Sequence, residues 1–253
     1  MYYEINGEGD PIVLLHGNFG DCRHWDDQFK DFAESHKVLR YDFRGFGKSS
    51  MPVEGKPYAH YIDLKALMDH LGIVKAHICG FSSGCAIAVS FVLAYPEMSK
   101  SLIALGPWVV GYTSPKVEES VSKAREIPRT LKEKGPKEAL DRFWDYVFSQ
   151  TLGCKGDLKL REVGKDYSFW PFYNENQTIS QKPSAFHQLS KIKCPTLIIT
   201  AEHDSPACIE AADLMERDIP NTQKVVFKNA SHAMNIDKPE EFNKLVLDFI
   251  GDL

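Results

Sequence analysis

The run Cys79-Gly80-Phe81-Ser82-Ser83-Gly84-Cys85 constrains the fold more than any other stretch of the chain. An apolar, strand-like segment, Ala76-His77-Ile78-Cys79, leads into it, and a helix-like segment from Ala86 to Ala94 leaves it. A strand that turns directly into a helix at Gly-x-Ser-x-Gly has few backbones open to it. A side chain at 80 or 84 would collide with the neighbouring strand or helix, so glycine is needed at both. The turn forces Ser82 into a strained conformation and lifts its hydroxyl clear of the sheet, at a helix N-terminus. A serine placed in this way is a candidate nucleophile toward acyl groups or similar electrophiles.

The rest of the chain repeats the strand-then-helix pattern, which predicts βαβ units and a mostly parallel, twisted sheet flanked by helices: an α/β fold. Strands are expected at Tyr2–Ile5, Ile12–Leu15, Val38–Tyr41, Ala76–Gly80, Ser101–Leu105, Thr196–Ala201 and Lys224–Phe227. Several are continuous apolar runs, as strands covered on both faces require. Apolar residues at 64, 67, 68 and 71, and again at 242, 245, 246 and 249, mark helices at Tyr61–Leu71 and Phe242–Phe249. Between about Tyr112 and Ile192 the β pattern stops. Leu140, Phe143, Trp144, Val147 and Phe148 share a helical face there, and the aromatic cluster Phe169-Trp170-Pro171-Phe172-Tyr173 follows. Residues 1–111 and 193–253 are therefore expected to form the α/β core, and 112–192 a helical cap inserted over its active edge.

A chain of 253 residues, 43% of them hydrophobic, can bury its core without metals or disulfides. The six cysteines (22, 79, 85, 154, 194 and 208) show no metal-ligand spacing and read as buried, reduced thiols. No metal or cofactor is expected. A net charge of −5 with no basic stripe gives nucleic acid or an anionic membrane no electrostatic hold. The amino terminus lacks both a basic segment and an apolar stretch, and no run approaches the ~18 apolar residues of a membrane helix, so a cytoplasmic location is expected. A small-molecule substrate, and a monomer or homodimer, complete that expectation.

A serine hydroxyl needs a base, and the base needs an orienting acid. In a fold with this elbow the chain order is serine, acid, histidine, the last two at the carboxyl edge of the sheet. The strand at Thr196 ends in Ala201-Glu202-His203-Asp204, which makes Asp204 the candidate acid and Glu202 its rival. The strand at Lys224 is followed by Asn229-Ala230-Ser231-His232, which makes His232 the candidate base and His203 its rival. The glycine-containing segment His16-Gly17-Asn18-Phe19-Gly20 directly follows another strand and can aim a backbone N–H into the site. Asn18 is its first candidate donor and Phe19 the second. Ser83, just after the nucleophile, is expected to supply the other oxyanion N–H. His16 is expected to pack and to hydrogen-bond its own loop. Trp108, Phe143, Trp144, Trp170 and Met234 are candidate pocket residues.

Five ordered blocks resemble the α/β-hydrolase superfamily: His16–Gly20, Tyr41-Asp42-Phe43-Arg44-Gly45-Phe46-Gly47-Lys48-Ser49, Gly80–Gly84, Ala201–Asp204, and Ser231-His232 with Asp237–Phe242. The second block is similar to a turn that is structural in the superfamily. Ala201 and Ser231 stand where glycine is frequent, and neither change removes a catalytic group. The resemblance implies a small capped serine hydrolase like the carboxylesterases, enol-lactonases and cofactor-free haloperoxidases. It implies cleavage of an ester or lactone of a small apolar substrate through an acyl-enzyme. Ser82 argues against the dehalogenase and epoxide hydrolase branches, whose nucleophile is aspartate. Carbon–carbon or thioester hydrolysis by the same triad, or a ligand receptor on the same scaffold, stay open.

Overall fold

A computed structural model describes residues 1–174 and 177–253. Seven strands form one sheet: β1 (Tyr3–Asn6), β2 (Pro11–Leu15), β3 (Lys37–Tyr41), β4 (Ala76–Phe81), β5 (Ser99–Leu105), β6 (Thr196–His203) and β7 (Thr222–Ser231). Their spatial order is β1-β3-β2-β4-β5-β6-β7, with β1 antiparallel and all other pairs parallel. β4 sits at the centre with all six residues buried, because helices cover both faces of the sheet.

The helices α1 (Asp26–Phe32) and α2 (His60–His70) precede β4, and α3 (Ser83–Ala94) follows it. Between β5 and β6 come α4 (Pro115–Arg125), α5 (Ile127–Lys134), α6 (Pro136–Val147), α7 (Lys155–Gly164) and α8 (Trp170–Tyr173). The described part of that segment contains no strand. Tyr58 and Thr178 form one isolated bridge. α9 (Pro206–Asp218) follows β6, and α10 (Met234–Asp237) and α11 (Pro239–Gly251) end the chain. Proline at the first turn and a serine cap start α4 and α9 in the same way: Ser114 accepts from the Val117 N–H and Ser205 from the Cys208 N–H. Among the described residues no helix is long and apolar enough to cross a membrane.

Two strands run further than their apolar pattern predicts. β6 continues to His203, and β7 continues through the exposed Lys228 and Asn229 to Ser231. The register slips between Ala201 and His203, and Asn229 takes a positive φ of 49° opposite that slip. Asp204 and His232 are consequently the first residues beyond two adjacent strands.

The segment between β5 and β6 is tied to the loop and helix that follow β2. Phe19, in the loop after β2, meets the rings of Phe143 at 4.9 Å and Tyr167 at 5.2 Å. Arg23 bridges to Asp166 at 2.9 Å, and Lys159 to Asp26 at 2.8 Å. The turn after β3 is held from within. The Asp42 carboxylate accepts the Cys22 N–H at 2.9 Å and the Lys48 N–H at 2.7 Å, while Arg44 grips Asp63 through two bonds.

Candidate active site

Ser82 lies between β4 and α3 with φ 54° and ψ −116°, a conformation that L-residues rarely hold. Its N–H donates to the Leu105 carbonyl at 2.9 Å, and its carbonyl accepts from the Cys85 N–H at 3.0 Å. The crowding around it explains the two glycines. A Cβ at Gly80 would stand 2.4 Å from the Gly84 carbonyl oxygen, and one at Gly84 would stand 2.3 Å from that of His16. As the first residue of α3, Ser83 has an N–H with no acceptor inside the helix.

The loop after β2 passes close beside this turn. A Cβ at Gly17 would come within 2.7 Å of the Phe81 ring and 3.5 Å of the Ser82 Cβ. His16 is fully buried, stacks on Phe43 at 3.8 Å, accepts the Phe43 N–H at Nε2 and donates from Nδ1 to the Gly17 carbonyl. Both ring nitrogens are therefore spent on loop structure. Phe19 holds a positive φ of 58° at the apex of this loop.

His232 and Asp204 are paired. Nδ1 donates to Asp204 Oδ1 at 2.6 Å, with the carboxylate fully buried and the ring nearly so. The carboxylate also accepts the Ser205 N–H at 2.7 Å and the Thr200 hydroxyl at 3.2 Å. This arrangement fixes the ring and leaves Nε2 for another partner. Burial opposes the imidazolium, but the adjacent Asp204 charge outweighs it and holds the His232 pKa above its ordinary 6.5. Asp237 braces the loop from behind by accepting the N–H groups of Ser231 and Gly156, each at 2.8 Å. Of the rivals, Glu202 is exposed and accepts the Asn229 N–H, and His203 sits in β6 opposite Ser231.

Ser82 and His232 line the same cavity of about 390 Å³, together with Asn18, Phe19 and Ser83. Trp108 and Phe143 line it as well. Trp144, Trp170 and Met234 do not, which corrects the sequence expectation. Trp144 is one residue beyond Phe143 and so turned about 100° around α6; it is buried against Phe19 and Phe148. Phe172 replaces Trp170 in the wall, and Met234 is fully buried. A second chamber of about 330 Å³ shares Asn18, Phe19, Ser83 and Phe172 with the first. The Phe19 and Phe172 rings lie nearly parallel, 17° apart, between the two.

Cys208, Ser120 and Tyr146 also line the larger chamber and were not expected from the sequence. Cys208 lies in the first turn of α9, four residues after Asp204, a closeness that could have revealed it. Its sulfur and the ligand atoms of Asp204 and His232 lie within 4.8 Å of one another. Burial, with the Asp204 charge beside it, pushes the Cys208 thiol pKa up. The three have the donor types of a metal site, yet Asp204 and His232 are already bonded to each other. The trio Asp21, Cys22 and Asp42 is similarly spent, since both carboxylates hold backbone N–H groups.

The sheet and elbow define an α/β protein with a strained serine at a strand-to-helix turn. The model of the alpha/beta hydrolase fold family matches residues 10–143. A 2-hydroxy-6-oxo-6-phenylhexa-2,4-dienoate hydrolase of Burkholderia cepacia is 27% identical over 260 residues, covering 97% of this chain and 89% of that one. A thermophilic esterase from Thermogutta terrifontis superposes with a TM-score of 0.84 at 23% identity, over 99% of this chain and 93% of that one. The enol-lactonase from Burkholderia xenovorans LB400 gives 0.81 at 24%, over 99% and 96%. The chain belongs to the alpha/beta hydrolase fold family.

Proposed function

We propose that the protein is a serine hydrolase that cleaves a carboxylic ester or lactone through an acyl-enzyme. The observation that carries this is the buried His232–Asp204 pair opening, with the strained Ser82, into one largely apolar cavity. His232 Nε2 removes the Ser82 proton as Oγ forms a bond to the acyl carbon. Asp204 holds the ring and stabilises the imidazolium. The backbone N–H groups of Ser83 and Asn18, with Phe19 as the alternative in the second loop, receive the oxyanion; one such donor contributes roughly 3–4 kcal/mol at the transition state. The tetrahedral centre collapses and the alcohol leaves with the proton from His232. Water, deprotonated by His232, then attacks the acyl carbon, and the acid departs as Ser82 regains its hydrogen.

Residues 112–192 act in this reading as a cap, since α4, α5 and α6 supply much of the chamber wall. The relation to a dienoate hydrolase supports a second reading, in which the same three residues hydrolyse a carbon–carbon bond. The test is Ser82→Ala assayed with a short p-nitrophenyl ester. Loss of hydrolysis by about 10³-fold or more is expected. Hydrolysis at the wild-type rate would remove Ser82 from the mechanism. A dienoate tried beside the ester separates the two bond types.

A further inference from the structure

On the side of α4 and α6, away from Ser82, the larger chamber carries a polar feature that the proposed chemistry does not use. Ser120 on α4 and Tyr146 on α6 both line it, and their hydroxyl oxygens are hydrogen-bonded to each other at 2.9 Å. Around them the wall is made of Val121, Ala124, Ile127, Phe143 and Val147. Two hydroxyls joined by one hydrogen bond spend one hydrogen and keep the other. Among the described residues neither hydroxyl has a second protein partner. The described lining of this chamber contains no lysine, arginine, aspartate or glutamate.

An apolar wall with a single hydroxyl pair fits a particular ligand chemistry. It offers one donor and spare lone pairs, so it can satisfy a hydroxyl or a carbonyl on the ligand. A carboxylate seated at this pair would be taken out of water with no lysine or arginine in the described lining to offset it, at high cost. We propose that the Ser120–Tyr146 pair is the specificity-determining anchor of this chamber. It hydrogen-bonds a neutral oxygen, hydroxyl or carbonyl, borne on an otherwise apolar half of the substrate. This rests on the reading of Ser82 as nucleophile, and it narrows the substrate class to neutral, hydroxylated or carbonyl-bearing esters and lactones.

The experiment compares kcat/KM within two matched sets, so that either half of an ester can occupy the chamber. The first set is p-nitrophenyl hexanoate, 6-hydroxyhexanoate and the half-ester of adipic acid. The second is hexyl acetate and 6-hydroxyhexyl acetate. In the wild-type protein the hydroxylated member of one set should exceed its plain parent by about tenfold, and the carboxylated member should fall below the parent. In Tyr146→Phe, which keeps the ring, that ratio should drop to about one. Ser120→Ala should lower it too, and it replaces Tyr146→Phe if the latter does not fold. A wild-type ratio near one in both sets, or a ratio unmoved by the substitutions, overturns the anchor. Ser82→Ala run on the same esters keeps the two ideas apart. If it abolishes hydrolysis while the ratio stays unmoved in Tyr146→Phe, the anchor falls alone. If it hydrolyses at the wild-type rate, the nucleophile reading falls, and the ratio still judges the anchor.

Discussion

Gly106 tests whether the position of the His232 ring governs turnover. It follows β5 with a φ of +51°, and its missing side chain leaves room for the imidazole. A Cβ there would stand 2.9 Å from His232 Cε1 and 3.1 Å from Nδ1. Carbon atoms in contact sit about 3.5–4.0 Å apart, so in Gly106→Ala the ring must retreat by about half an ångström or more. The ring has little freedom to do so while Nδ1 stays 2.6 Å from Asp204. Alanine also bears the left-handed backbone penalty of about 1–2 kcal/mol. Gly72→Ala isolates that second effect, because Gly72 has a φ of +66° and open space where its Cβ would lie. Denaturant titration should show Gly72→Ala losing about 1–2 kcal/mol and Gly106→Ala losing more, because it also displaces the ring. Ester hydrolysis should fall only in Gly106→Ala, by about 10- to 100-fold in kcat/KM, as expected for a displaced catalytic group. Wild-type kcat/KM in Gly106→Ala, with a stability loss clearly larger than that of Gly72→Ala and so a displaced ring, would refute His232 as the base.

With His232 as the proposed base, turnover needs the neutral ring, and Asp204 holds its pKa above 6.5, so kcat/KM should rise with pH through a midpoint above that value. The stability contribution has the opposite sign. A raised folded-state pKa stabilises fully below 6.5, and that contribution is lost as pH climbs through the folded value, which pH-dependent denaturant midpoints would reveal. Asp204→Asn should keep the fold by circular dichroism and lower kcat about 10⁴-fold through loss of the correct tautomer; a loss under tenfold would exclude this role. Phe19→Ala should cost about 3–5 kcal/mol in denaturant unfolding, because this buried ring packs against Phe143, Trp144 and Tyr167.

The sheet was legible because its central strands are buried on both faces and therefore written as unbroken apolar runs, Ile78-Cys79 and Ile198-Ile199 among them. The elbow was legible for a different reason: a carbonyl 2.3 Å from a would-be Cβ admits only glycine, and glycine is visible in a sequence. Asp204 and His232 could be located because each closely follows a strand. The last turns of β6 and β7 could not, since the slip opposite Asn229 and the exposed Lys228 follow no apolar period. The chamber wall was read least well. Trp144 and Phe143 are adjacent and both aromatic, and only the rotation of α6 decides which one meets the cavity. The Ser120–Tyr146 bond joins residues 26 positions apart on two different helices, and nothing local to either residue announces it.

Phe19 belongs to the loop beside Ser82, yet its ring is held by residues that arrive more than a hundred positions later, Phe143, Tyr167 and Phe172 among them. A substrate that repacks those rings displaces the backbone proposed to receive the oxyanion. Recognition and rate are then coupled through one side chain. Variants selected for a new substrate by changes at 143 or 172 should alter kcat as well as KM, and a swap of the whole helical segment should keep its rate only where the incoming segment grips Phe19 in the same way.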